Sequence, residues 1–267
     1  MPEEATSEAE ETVDWLGRPV SCRDCPHEMM RAGGRCDLGR ICVRDRRSKR
    51  IDHFFASNPA LAGRYVGDSV ILEQRGFELR VLAAKHASVF LLPKLIDDPE
   101  PDVRAMIAYR LPAGRIATLM RDPDQKVRIA VAQRIDGADL VSMLSDADYV
   151  VRRVAARRAP EDVLRVAMRD PELEVRQVVA RRLPLEQLTP MMFDPDPLVR
   201  LEVARRLEPS RLGVLAHDSD LRVRFTVAER GGLDLLQYLK HDRDPEVRAL
   251  ASARIAKMQG GSDGAGA

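Results

Sequence analysis

The chain has 267 residues, 45% of them hydrophobic, and 43 Lys and Arg stand against 42 Asp and Glu for a net charge of +1. That apolar content excludes wholesale disorder, and an aromatic content of only 4% argues against a β-sandwich or barrel and for helix. Near neutrality excludes a globally basic nucleic-acid binder but leaves room for a local patch, and no apolar run approaches the roughly 18–20 residues of a membrane span.

In chain order, residues 1–20 form an acidic start (Glu3, Glu4, Glu8, Glu10, Glu11) that lacks the basic-then-apolar layout of a secretory signal. We read it as a mobile end and expect a soluble, cytoplasmic protein. Residues 21–72 follow as a small module holding all four cysteines: Cys22, Cys25, Cys36 and Cys42. In a reducing compartment the pattern C-x2-C-x10-C-x5-C reads as a metal site before it reads as two disulfides or free thiols. The Cys22–Cys25 pair puts two sulfurs on one tight turn, and the loop with Gly33 and Gly34 near its end can bring Cys36 and Cys42 back to complete a tetrahedron. Four thiolates suit zinc or an iron–sulfur cluster, and the spacing alone leaves that choice open. The C-x5-C half fits zinc hairpins less well, and the string also departs from ferredoxin runs. His27 lies between the cysteines, but four thiols already fill the site, so it reads as a loop histidine. A thioredoxin-like reading of Cys22-x-x-Cys25 lacks the βαβ context it needs.

From residue 73 to 256 the chain repeats with a period of 24. Valine recurs at Val103, Val127, Val151, Val175, Val199, Val223 and Val247, and arginine follows it each time, from Arg104 to Arg248. Five residues before each valine stands an aspartate (Asp98, Asp122, Asp146, Asp170, Asp194, Asp218, Asp242), and two after that a second acid, from Glu100 to Asp244. A second arginine column runs through Arg110, Arg134, Arg158, Arg182, Arg206, Arg230 and Arg254. An eighth, degraded copy precedes these, with Leu79-Arg80 in phase but Gln74 and His86 in place of the aspartate and the second arginine, as a capping repeat should show.

Each row predicts a helix of about three turns. Asp98 reads as N-cap with Pro99 in the first turn, Glu100 favours the helix dipole, and Glu100 and Arg104 are spaced for a helical ion pair. Val103, Ile107 and Leu111 share one face, Ala108 lets a neighbouring helix approach, and Leu111-Pro112 stops the helix. The return half carries apolar residues three apart (Ile116 and Leu119, Leu140 and Met143, Leu188 and Met191), a spacing that suits 3₁₀ turns. About eight residues at roughly 2 Å each match the length of the outgoing helix, where an α-helix would fall short. The last residues, 257–267, read as a flexible tail.

HEAT-like repeats begin with a similar row, but the period here is too short for their two full helices. The chain resembles the leucine-rich repeat variant family over residues 73–256, with the caps and both arginine columns repeated. The resemblance implies an all-α, right-handed superhelical solenoid in which an α-helix alternates with a 3₁₀-helix. It also implies an N-terminal domain in which Cys22, Cys25, Cys36 and Cys42 ligate a 4Fe-4S cluster, zinc being the alternative, and it conveys no catalytic residues.

For function, the sequence holds no glycine-rich phosphate loop, nucleophile elbow or HExxH motif, so enzyme chemistry apart from a redox cluster is not expected. The Asp-x-Asp columns lack the glycine-rich turns of calcium-binding β-rolls and read as caps. We expect a redox- or oxygen-responsive scaffold that binds another protein; nothing in the sequence names the partner or an oligomeric state. The alternative is nucleic-acid binding through the basic run at 44–50 and the surplus arginines Arg153, Arg157, Arg181 and Arg205. The arginine columns themselves read as ion pairs and helix-end clamps. The overall neutrality is built into the rows; the imbalance is local, with six acids and one base in residues 1–21 against nine bases and five acids in residues 22–52.

Overall fold

A computed structural model describes Pro19 and residues 51–67 and 77–260. It divides into two compact units, Met1–Ile135 and Asp136–Ala267. In the first, α1 (Ile51–Ser57) and α2 (Pro59–Gly67) pack on α3 (Phe77–His86), the helix of the degraded repeat. A 3₁₀ turn (Leu92–Leu95), α4 (Pro101–Arg110), two 3₁₀ pieces (Ala113–Arg115, Ala117–Arg121) and α5 (Gln125–Ala132) complete it. In the second unit the long helices are α6 (Tyr149–Arg158), α7 (Leu173–Arg182), α8 (Pro197–Arg206), α9 (Leu221–Arg230) and α10 (Pro245–Gly260). Each packs on the next, and return segments lie between them.

The rows explain these elements, with one shift. The helix starts two residues later than the sequence suggested, because its N-cap is the second acid of the row. Asp124, Asp148, Asp196 and Asp220 sit in extended backbone with φ between −86° and −93°, and each accepts the N–H two residues on, at 2.7–2.9 Å. Glu100 and Glu172 hold the same position without a side-chain cap bond. The first aspartate, expected as the cap, is buried instead: Asp98, Asp122, Asp170, Asp194 and Asp242 are less than a tenth exposed. At the other end Leu111 and Ala159 have ψ of 152° and 149°, as the prolines after them require. The Ile135-Asp136 row has no proline, and Gly137 takes the left-handed conformation there, with φ of 62°.

The return segments are mostly 3₁₀, as the spacing predicts: Glu161–Ala167 is one piece, and the rows containing Gly114 and Gly213 break into two. Other rows begin with a short α turn, at Gly137–Ser142, Leu185–Leu188 and Leu233–Leu239, before the chain turns back. Helix propensity favours this in Leu-Asp-Leu-Leu-Gln-Tyr-Leu, and a glycine in the middle of the segment, Gly114 or Gly213, disfavours it in the split rows.

Burial has the same period as the sequence. Val103, Val127, Val151, Val175, Val199, Val223 and Val247 are fully buried, as are Ile107, Val131, Val179, Val203 and Val227 one turn later. Ile116, Leu164, Leu188, Leu212 and Leu236 close the core from the return side. Each such side chain contributes about 1.5–3 kcal/mol of burial. The column Ala84, Ala108, Ala132, Ala156, Ala180, Ala204 and Ala228 is also fully buried, so the helices approach over a methyl group. We expect Ala180→Leu to destabilise the second unit by about 1–3 kcal/mol through overpacking, measured as a lowered urea midpoint, with Ala180→Ser costing less.

Candidate functional site

Cys22, Cys25, Cys36, Cys42, His27 and the basic run at 44–50 lie outside the described residues. The described chain resumes at α1, shortly after Cys42. There Phe55, Ala62 and Val66 are fully buried, and a Cβ at Gly63 would come within 2.9 Å of Leu91 Cδ1. On the surface Asp52 accepts Lys85 Nζ at 2.7 and 2.9 Å and meets His86 Nε2 at 2.7 Å. The Lys85 ammonium and the His86 ring hold the Asp52 carboxyl below the usual carboxylate range. His86, which replaces the second arginine in the capping repeat, thus helps to fasten α1 to α3.

The first arginine column was expected to pair with the acid four residues before it. It reaches instead across the row boundary, to the first aspartate of the next repeat. Arg80 meets Asp98 and Arg104 meets Asp122 in the first unit, and Arg152, Arg176, Arg200 and Arg224 meet Asp170, Asp194, Asp218 and Asp242 in the second. Each contact is bidentate, Nε donating to Oδ2 and Nη2 to Oδ1, at 2.6–3.2 Å. In the full rows Nη1 donates backward to the carbonyls of its own row's aspartate and the following residue, as from Arg176 to Asp170 and Pro171 at 2.8 and 3.0 Å. The aspartate Oδ1 also accepts the N–H two residues on, as from Glu172 to Asp170 at 2.9 Å. Where the second acid is aspartate, as at Asp124, Asp148, Asp196 and Asp220, its carboxylate is engaged by the helix N–H groups at the cap and does not take the arginine.

Electrostatics follow from this geometry. Burial pushes the Asp122 carboxyl up, but the Arg104 guanidinium and the Asp124 N–H outweigh it and hold the group below the usual carboxylate range. Asp242 is held down in the same way against its own burial by Arg224 and the Asp244 N–H. The hydrogen bonds to Asp122, Asp170, Asp218 and Asp242 raise Arg104, Arg152, Arg200 and Arg224 above the ordinary guanidinium range.

The second arginine column satisfies helix-end carbonyls, as expected, but those of the preceding helix. Arg182, Arg206 and Arg254 donate to Ala156, Ala180 and Ala228 at 2.7–2.8 Å, and Arg230 to Ala204. In the first unit Arg110 holds Ala84, Lys85 and Ala87, and Arg134 holds Tyr109 and Leu111. Of the surplus arginines, Arg181 and Arg205 converge on Glu202 at 2.6 and 3.5 Å. Arg153 lies over the Tyr149 ring with its Nε buried and without a partner, and Arg157 is exposed. Among the described residues no group of three or more His, Cys, Asp or Glu side chains is placed to hold a metal, and no helix is long and apolar enough to cross a membrane. The sequence did carry one sign of the inter-repeat link: the degraded copy keeps Arg80 although Gln74 has replaced its own aspartate.

These features define a class of helical repeat protein in which an α-helix alternates with 3₁₀ pieces and guanidinium groups bind successive repeats. A solved structure described as a leucine-rich repeat variant with a novel repetitive structural motif is 40% identical, with a TM-score of 0.81 over 88% of this chain and 98% of its own. The chain belongs to the leucine-rich repeat variant family. The family models for the repeat and for the "LRV protein FeS4 cluster" match residues 101–124 and 12–64, and the latter span contains all four cysteines. An uncharacterized 27.7 kDa protein in the nifB 3′ region of Rhodobacter capsulatus is 44% identical over 106 residues, 40% of this chain and 41% of that relative. This is therefore an iron–sulfur-cluster-binding repeat protein of that family.

Two expectations follow from the ladder. Arg152→Leu should cost about 3–5 kcal/mol in urea unfolding, because it leaves the Asp170 carboxylate buried and unpaired. An isolated buried pair is often replaceable by apolar residues, but adding Asp170→Leu here should not restore stability: the Asp146 and Ala147 carbonyls and the Glu172 N–H would also lose their partners. The second concerns pH. The folded-state pKa values of Asp122 and Asp242 lie below the unfolded value of about 3.9, so their stabilisation is fully present above about pH 4 and is lost as pH falls through the folded values. The urea midpoint should drop steeply below about pH 4, and less steeply in an Asp122→Asn/Asp242→Asn variant.

Proposed function

We propose that Cys22, Cys25, Cys36 and Cys42 ligate a 4Fe-4S cluster, and that the protein is a redox- or oxygen-responsive scaffold whose repeats bind another protein. The observation that carries this reading is the match of the iron–sulfur family model to residues 12–64. The donor set fits the group, since the four thiols between Cys22 and Cys42 are all the cysteines the chain has and satisfy a cluster of this kind without another ligand. When bound, the cluster supplies one-electron chemistry. The chain's part is to hold it and to couple its presence to the repeats. Phe55, Ala62 and Val66 in α1 and α2 and the Asp52 contacts with Lys85 and His86 join the segment after the last cysteine to the first repeat helix.

A second reading, nucleic-acid binding, is favoured by the exposure of Arg157, Arg181 and Arg205 at one register of consecutive helices. It ranks behind the first because Glu202 already engages Arg181 and Arg205, and both arginine columns are spent on the fold. Anaerobically purified protein should be brown, with about four iron and four sulfide per chain. Cys36→Ser should lose them while keeping its helical circular dichroism. Colourless protein with one zinc would overturn the cluster assignment. An anaerobic pull-down should recover a partner that air-oxidised protein releases, whereas strongly salt-dependent affinity for nucleic acid would favour the second reading.

A further inference from the structure

In the second unit one groove has walls of opposite charge. It lies between the return segments of two consecutive rows and has a volume of about 570 Å³. One wall carries Arg165, Val166 and Arg169, and the other carries Glu186, Gln187 and Pro190. Val166 and Pro190 stand at the same register of their rows, so each wall brings one apolar side chain to the same level. Both are exposed, Val166 at 70%. Arg169 and Pro190 also line the adjoining groove, where Phe193 is 69% exposed. Single exposed apolar residues are ordinary on a protein surface, but these three adjoin one another through the two grooves.

The charges of the groove are unpaired. Arg165, Arg169 and Glu186 are exposed, and their side chains make no ion pair or hydrogen bond among the described residues. Their charged neighbours are engaged elsewhere: Asp170 and Asp194 are held by Arg152 and Arg176, and Arg211 of the following row donates to Thr189 Oγ1. Glu161 and Asp162, at the start of the first segment, pair with neither arginine. Folding asks for neither sign here. The register of Arg165 reads Ala117, Val141, Thr189 and Gly213 in other rows, and that of Glu186 reads Gly114, Ala138 and Ser210.

A groove with one basic and one acidic wall is its own complement. A two-fold axis passing through it lays the basic wall of one copy on the acidic wall of the other. Arg165 and Arg169 then meet Glu186 of the other copy twice over, and Val166 faces Pro190 of the other copy. Symmetric dimers rest on contacts of this isologous kind, in which one residue meets another and is met by it in return. A ligand of a single sign would set one wall against its own charge, which weakens binding.

We propose that this groove is the contact surface of a symmetric dimer of the chain, with Arg165 and Arg169 of each copy paired to Glu186 of the other around an apolar centre of Val166, Pro190 and Phe193. The patch spans only two rows, so the dimer is weak, with a Kd on the order of 10–100 μM. Sedimentation of the full chain, kept anaerobic and reduced so that no intermolecular disulfide contributes, should show monomer and dimer exchanging over that range. Val166→Ser/Phe193→Ser should raise the Kd about tenfold with thermal unfolding unchanged. Arg165→Glu/Arg169→Glu and Glu186→Arg should each weaken the dimer by at least about tenfold, because each sets like charges face to face across the axis. Mixed in equal amounts, these two charge variants should associate again, since every charge then meets its opposite. Cys36→Ser should dimerise as the wild type does, which separates this surface from the cluster. A chain that stays monomeric at about 1 mM, ten times the weakest expected Kd, would overturn the proposal. So would a dimer indifferent to the serine variant, charge variants that fail to associate on mixing, or a dimer lost in Cys36→Ser.

Discussion

Within each unit the guanidinium of the first arginine column is the joint on which the stacking of repeats depends. One planar group donates through Nε and Nη2 to the next repeat's aspartate and through Nη1 to two carbonyls of its own row. A lysine ammonium could form none of this as a fork, which is why the column is arginine in every row. The pair is buried, so both ions lose hydration, and the contact is sustained because backbone groups also engage Nη1 and Oδ1. The same aspartate fixes the turn before the helix by accepting the N–H two residues on, which leaves the second acid to cap. Helix start, turn and inter-repeat register are therefore set by one network. The second arginine column adds a clamp in the opposite direction, from the end of one helix to the carbonyls of the helix before it.

Such a construction makes neighbouring repeats energetically dependent on one another, as in other linear arrays. Damage to one joint is felt on both sides, because the arginine side chain and the aspartate it holds belong to different repeats. The capping repeat shows how the array can end. It keeps Arg80 for its successor, dispenses with its own aspartate, and replaces the second arginine with His86, whose partner Asp52 belongs to α1. The exchange of Arg for His at that position links the repeat rules to the cysteine-bearing segment.

Much of this architecture was legible in the residues. The valine, alanine and return-leucine columns gave the core correctly, because burial acts on each side chain and a regular period displays it directly. The 3₁₀ return was legible from spacing and length together. Asp98 as cap and the Glu100–Arg104 pair were misread, because both inferences considered one row at a time. Local rules for caps and ion pairs describe a helix in isolation, whereas the Asp98 carboxylate is taken by Arg80 from the row before. A link that crosses from one row into the next leaves no trace within either; only Arg80 without its own aspartate betrayed it. Four thiols in one short segment restrict the ligand class, but spacing could not choose between zinc and iron–sulfur.

The same reasoning separates scaffold from recognition. Positions that hold one residue type through the full rows are consumed by the fold: valine in the core and arginine and aspartate in the ladder, with alanine at the helix contact in all but the last row, where Ser252 stands. A partner cannot be recognised through groups whose donors and acceptors are already satisfied inside the array. Under the scaffold reading proposed above, specificity resides where rows differ. The register that reads Lys94, Thr118 and Ser142 and then Val166, Pro190, Val214 and Tyr238 is such a place, and its change from polar to apolar falls on exposed side chains where folding does not demand it. The near-equality of acids and bases conceals this division. Charges at fixed positions cancel in pairs to build the repeats, and the variable registers are the positions whose side chains the fold leaves unspecified.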